Sequence, residues 1–296
     1  MNRRQFSQVI AAASLVPALQ KIAAQPSSTP VRFSIMLWTI DRKLPFEDCL
    51  HIASAAGYNG VELVDEFAGW SPAETERMMA KIRSLRLTVD AISGVHAGFS
   101  SPGGAASLLA QLTRQFAIAD SLECPAIILL SGNRNPGLPR SVQHSASIEN
   151  LKRAGELAAR RNIQLLIEPI DPLENPASYL TSVAEGFEIV RAVGNPKVKV
   201  LYDFYHEQRA AGNLIEKLEK NINWVGLAHI ADVPGRHEPG TGEIDYRNIY
   251  RKLAELRYDK YIAMEYYPTE DPTQSFRDQR LVALQAMRSS ARPYRP

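Results

Sequence analysis

The sequence predicts an α/β protein folded as a single (β/α)8 TIM barrel, on three observations. From residue 31 onward, apolar strand-like runs alternate with amphipathic helical ones, and the count reaches eight β-then-α units. The strand-like runs are apolar throughout, as in Ile127-Ile128-Leu129-Leu130 and Leu165-Leu166-Ile167, the mark of strands buried on both faces. Eight units in about 260 residues is the size of one closed barrel. An open doubly wound sheet would show the same alternation, but eight units in register leave it no evident edge strand.

Residues 31–37 read as the first strand and 46–56 as its helix, halted at Gly57. The second strand is 60–64. Its helix, 71–86, opens with Ser71-Pro72-Ala73-Glu74: a serine cap, a proline in the first helical position and the glutamate of a capping box. The third strand, 87–93, leads through a Gly/Ser loop to a helix over 105–121. The fourth, 126–130, leads through a Gly/Pro loop to a long helix over 141–161. The fifth strand is 163–167, and its helix, 182–193, is closed by Gly194-Asn195-Pro196. The remaining pairs are 198–202 with 214–221, 225–230 with 246–256, and 261–265 with 273–288. The barrel domain thus runs over 31–290, with no interior linker or low-complexity stretch.

Residues 1–25 read as an export signal outside that domain. Arg3-Arg4-Gln5-Phe6-Ser7 precedes an apolar run over 9–19 that is too short to span a bilayer, and Ala23-Ala24 offers a cleavage point. The paired arginines resemble a twin-arginine signal, which places the mature chain in the periplasm or outside the cell; a general secretory signal or an uncleaved amphipathic tail are the other readings. No later stretch approaches 18 consecutive apolar residues, so no membrane span is expected after signal removal. The net charge is +2, and residues 1–25 carry Arg3, Arg4 and Lys21 with no acid, which leaves −1 on the body. A near-neutral body has no general attraction for phosphate backbones, so nucleic acid is not the expected partner. Cys49 and Cys124 sit in or beside apolar segments and read as buried unpaired thiols rather than a disulfide or metal site. Arg292-Pro293-Tyr294-Arg295-Pro296 could be an arm at a contact in a homo-oligomer, or a frayed tail.

A barrel of this kind presents its reactive side chains at the C-terminal ends of the strands. Those ends supply Glu62, His96, Glu168, Asp203, His229 and Glu265. The last four come from four consecutive strands. Neighbouring strands lie about 4.8 Å apart, so their heads can converge above the barrel axis. Three carboxylates and an imidazole at one point repel without a cation, and an O3N set suits Mn2+, Mg2+ or Co2+ better than structural zinc. Taken singly, an acid at a strand end is an ordinary helix cap or ion-pair partner. Glu168 and Glu265 resist that reading, because each follows directly on an apolar run where an unpaired carboxylate is costly. Asp203 stands likewise in Leu201-Tyr202-Asp203-Phe204-Tyr205-His206, which puts His206 near the pocket mouth.

Four stretches carry a resemblance: Ile167-Glu168-Pro169-Ile170, Tyr202-Asp203-Phe204-Tyr205-His206, the run from His229 to Glu243, and Met264-Glu265-Tyr266. The chain resembles the xylose-isomerase-like barrels, in particular the hydroxypyruvate isomerases and their relatives the ketose 3-epimerases. That resemblance implies a divalent metal held by Glu168, Asp203, His229 and Glu265, with Glu168 and Glu265 as the acid/base pair. It also implies substrate contacts from His206 and Arg236, and from Glu174, which echoes an epimerase position. Glu62 and His96 are further candidates for substrate binding. Both groups stay open: hydroxypyruvate isomerases carry Gln where this chain has His229, and the Asn common to both is missing from Met36-Leu37-Trp38-Thr39. The implied reaction is isomerisation or epimerisation of a small keto acid or ketose through an enediolate. The rivals are a metal-dependent hydrolase for abasic DNA, which needs more His and acid ligands than the six histidines here offer, and an exported sugar-binding barrel without turnover.

Overall fold

The computed structural model describes residues 31–41 and 43–289. The signal expected at 1–25 and the arm expected at 292–296 lie outside them. Eight parallel strands close in sequence order, with β1 (Arg32–Met36) hydrogen-bonded to both β2 and β8. The others are β2 (Gly60–Leu63), β3 (Thr88–Val95), β4 (Ala126–Leu130), β5 (Gln164–Glu168), β6 (Val198–Asp203), β7 (Val225–Ile230) and β8 (Tyr261–Met264). Around them run α1 (Phe46–Ala55), α2 (Pro72–Ser84), α3 (Ala105–Ser121), α4 (Arg140–Arg161), α5 (Val183–Val193), α6 (Phe204–Ala210), α7 (Leu214–Asn221), α8 (Tyr246–Glu255) and α9 (Pro272–Ser289). The capping box of α2 forms: Ser71 Oγ accepts from Glu74 N–H and Glu74 Oε2 accepts from Ser71 N–H.

Alternate residues of each strand face two different cores. Phe33, Ile35, Val61, Leu63, Ile127, Leu129, Leu165 and Ile167 pack outward against the helices. Met36, Ala91, Ala126, Ile128, Leu166, Leu201, Leu227 and Ala263 fill the barrel. Cys49 and Cys124 are buried and unpaired. Among the described residues no helix is long and apolar enough to cross a membrane.

Two departures from the expected elements bear on the site. The seven-residue helix α6 starts immediately after β6, because the Asp203 carboxylate caps it by accepting from the N–H groups of Tyr205 (2.7 Å) and His206 (3.0 Å). β3 runs on to Val95 through a register shift between Ile92 and Val95. Gly94 makes this possible at φ +114°, and Gln115 Nε2 donates to the Ser93 carbonyl beside it.

Candidate metal centre

Glu168 ends β5, Asp203 ends β6, His229 is the penultimate residue of β7, and Glu265 follows β8. Each offers one ligand atom, and the four atoms lie within 4.8 Å of one another, all on buried residues. Glu265 falls one residue past its strand, yet its N–H still donates to the Ile230 carbonyl at 3.0 Å, which fixes its height on the rim. His229 Nδ1 points into the cluster, 2.7 Å from Glu265 Oε2 and 3.7 Å from Glu168 Oε1. Its Nε2 turns the other way, to Glu62 Oε2 at 3.0 Å. Asp203 uses Oδ1 for the α6 cap and leaves Oδ2 3.6 Å from His206 Nε2 and 3.7 Å from Arg236 Nη2.

The field of this cluster can be read from its neighbours. Burial alone would lower His229, His206 and Arg236, yet all three are pushed up. His229 is raised by Glu62 and Glu265, His206 by Asp203 and Asp171, and Arg236 by Glu265 and Asp203. Burial and the charge of Glu265 raise Glu168 to about 7. Burial also works to raise Glu265, but the Arg236 guanidinium and the His229 ring outweigh it and hold the carboxylate well below its usual range. A site that lifts every adjoining base is one that favours positive charge. With three carboxylate donors and one imidazole nitrogen facing each other, these residues fit a divalent ion of the Mn2+, Mg2+ or Co2+ kind.

A cavity of about 1070 Å3 opens over the cluster, with Trp38, Val64, Phe67 and Leu130 among its apolar walls. Arg236, Glu174, His206 and His96 all line it. Arg236 Nη2 lies 2.6 Å from Glu265 Oε1, Nη1 lies 3.6 Å from Glu174 Oε1, and the guanidinium stands over the rings of Tyr205 (4.9 Å) and Trp38 (5.5 Å). His206 is buried rather than at the mouth, with Nδ1 2.7 Å from Asp171 Oδ2. Glu62 departs from its expected place: it is fully buried beneath His229 and does not line the cavity. Its carboxylate is taken up by the His229 ring, with Nε2 3.0 Å from Oε2, rather than by the cavity.

Two organising acids had no expected role. Asp171 is fully buried, orients His206, and lies 3.3 Å from Arg209 Nη1. Its signal was its position three residues past Glu168, directly before Pro172. Asp232 is fully buried and accepts from the N–H groups of Val233 (2.8 Å), Gly240 (2.7 Å), Gly242 (3.0 Å) and Ile244 (3.0 Å). This gathers the loop that carries Arg236, itself in the left-handed region at φ 57°. Asp232→Ala would strand several of these donors at about 1–3 kcal/mol each. A loss of about 3–5 kcal/mol is expected in denaturant unfolding, and an unchanged midpoint would deny Asp232 this role.

Residues 50–285 match the family described as xylose isomerase-like TIM barrel. The chain belongs to that family. A 2-oxo-tetronate isomerase of Pectobacterium atrosepticum is 27% identical over 247 residues, covering 81% of this chain and 94% of the relative. A putative hydroxypyruvate isomerase of Mus musculus is 29% identical over 258 residues, covering 82% and 91%. Among solved structures, one titled AP endonuclease, family 2, from Brucella melitensis superposes with a TM-score of 0.76 at 25% identity, covering 83% of this chain and 96% of that one. An L-ribulose 3-epimerase shares the fold at TM-score 0.75 and 19% identity, covering 90% and 100%. Its curated relatives place this member of the xylose isomerase-like family among the isomerases, as an enzyme.

Proposed function

We propose that the protein is a divalent-metal-dependent isomerase of the hydroxypyruvate isomerase kind, converting hydroxypyruvate to tartronate semialdehyde or acting on a related small keto acid or ketose. The observation that carries this reading is the pair Glu168 and Glu265. Both belong to the one buried four-donor cluster, their ligand atoms within 4.8 Å of those of Asp203 and His229, and both line the cavity above it. When bound, the ion supplies Lewis-acid stabilisation of the negative oxygen that develops as a proton leaves the neighbouring carbon.

The residues of the chain do the rest. Glu265, whose Oε1 is met by Arg236 Nη2 at 2.6 Å, removes a proton from the hydroxyl-bearing carbon, and the C–H bonding pair becomes the carbon–carbon double bond of an enediolate. Glu168 delivers a proton to the former carbonyl carbon. The hydroxyl of the first carbon passes its proton to the former carbonyl oxygen, so that the first carbon becomes the new carbonyl and the second bears the hydroxyl. Arg236, buried and flanked by two aromatic rings, pairs with a substrate carboxylate, and His206 binds a substrate oxygen from the side that Asp171 fixes.

A ketose 3-epimerase is the second reading, favoured by His229 and by Glu174 standing in the cavity beside Arg236. Deuterium wash-in from D2O decides, with Mn2+ or Mg2+ present and hydroxypyruvate, 2-oxo-tetronate, L-ribulose and D-psicose as candidate substrates. Exchange into the oxo acids, or at C1 of the ketoses, supports the isomerase, and exchange confined to C3 of the ketoses replaces it by the epimerase. No exchange in any, with ion bound, leaves a sugar-binding barrel. We further propose that residues 1–25 direct export to the periplasm or beyond. Changing Arg3 and Arg4 to Lys should retain the full-length chain in the cytoplasm; unchanged export of the variant contradicts a twin-arginine route.

A further inference from the structure

Glu62 is the buried carboxylate to which the proposed chemistry gives no task. It is held on Oε2 by His229 Nε2 at 3.0 Å, while Oε1 lies 3.5 Å from Ser34 Oγ. Ser34 donates in turn to Asp90 Oδ2 at 2.8 Å. Space for this polar pocket comes from Gly60, where a Cβ would stand 3.0 Å from Asp90 Oδ1 and 2.9 Å from the Tyr261 ring. Ser34, Glu62 and Asp90 are all buried, and none of them lines the cavity. The pocket therefore lies under the centre, shielded from any substrate.

An imidazole that ligates a metal has given up one ring proton, which leaves it one N–H and one lone pair, and which nitrogen carries which is set by the partner of the other. His229 faces carboxylates on both sides, so its own surroundings in the cluster do not choose. Glu62 does. Its Oε2 is buried and needs a donor, and Ser34 already gives its hydrogen to Asp90 at 2.8 Å, whereas Glu265 is met by Arg236 Nη2 at 2.6 Å. Placing the hydrogen on Nε2 satisfies Glu62 and turns the lone pair of Nδ1 towards Glu168, Asp203 and Glu265. The same contact blocks rotation of the ring about its Cβ–Cγ bond.

We infer that Glu62 is a positioning residue: by accepting from Nε2 it fixes both the tautomer and the orientation of His229, so that Nδ1 is the nitrogen offered to the metal. This rests on the metal-dependent reading above. Mn2+ titrated calorimetrically into the metal-free full chain tests it. Glu62→Leu should weaken binding about ten- to hundredfold, the usual cost of removing such a partner, while Glu62→Gln, whose carbonyl oxygen still accepts from Nε2–H, should recover most of it. A Leu variant that folds and binds Mn2+ as the parent does overturns the inference and leaves the metal reading intact. A parent chain that binds no Mn2+ overturns both. Where Glu62→Leu fails to fold, 15N NMR of the Mg2+-loaded parent decides alone: the ring proton on Nε2 is expected, and a ring proton on Nδ1 contradicts the assignment.

Discussion

Replacing Glu265 by Gln should slow proton exchange at the substrate carbon by about 10²–10⁴-fold, the range a positioned acid or base contributes. Gln keeps the shape and can still accept from Arg236 Nη2, which lies 2.6 Å from Oε1 in the parent. It cannot take a proton from carbon. Removing this carboxylate also removes a metal donor, so the variant must be assayed at saturating Mn2+ to separate weaker binding from lost chemistry. Deuterium exchange followed by NMR gives the readout. Exchange that persists near the parent rate at saturating ion would take Glu265 out of the reaction and move the burden to Glu168.

Removal of divalent ions should abolish turnover and lower thermal stability together. The four donors are buried on four separate strands, so an ion that binds only the folded chain ties β5 through β8 at their rims. Ion at a hundredfold over its dissociation constant stabilises the fold by about 2.7 kcal/mol. For a chain of this size that corresponds to a rise in Tm of a few degrees. Calorimetric scans of the chelated protein, and of the same sample with Mn2+, Mg2+ or Co2+ restored, check both effects. Full activity after exhaustive chelation would contradict the assigned role of the centre.

The strands and the four donors were legible because each donor ends or directly follows an apolar run, and that pattern is one-dimensional. Glu168 and Asp203 prove to be the last residues of β5 and β6, and Glu265 sits one position beyond β8. What the chain hides is where a side chain turns. Glu62 and His229 are both penultimate in their strands, yet only His229 offers an atom to the cluster; Glu62 turns to the far nitrogen of that ring, a contact between residues 167 apart that leaves no local mark in the sequence. Helix α6 was hidden for another reason. Its cap is Asp203, whose apolar run marks it as a strand residue, and a single carboxylate serving both elements has no separate signal. Asp171 meets His206 and Arg209, three residues apart on α6, only through the fold, 35 residues separating Asp171 from His206. The loop from Asp232 to Ile244 was recognisable as a loop from its prolines and glycines, but the four N–H groups converging on Asp232 were not.

The donors all come from β5 to β8, whereas the apolar cavity walls Trp38, Val64, Phe67 and Leu130 belong to β1 to β4 and the segments after them. The rim is thus split into a reactive half and a moulding half. Insertions or exchanges in the loops after β1 to β4 can reshape the apolar side of the cavity while the four-residue cluster opposite stays as it is. A barrel divided in this way can change the shape of its chamber, by descent or by the protein engineer, without disturbing the buried acids and imidazole.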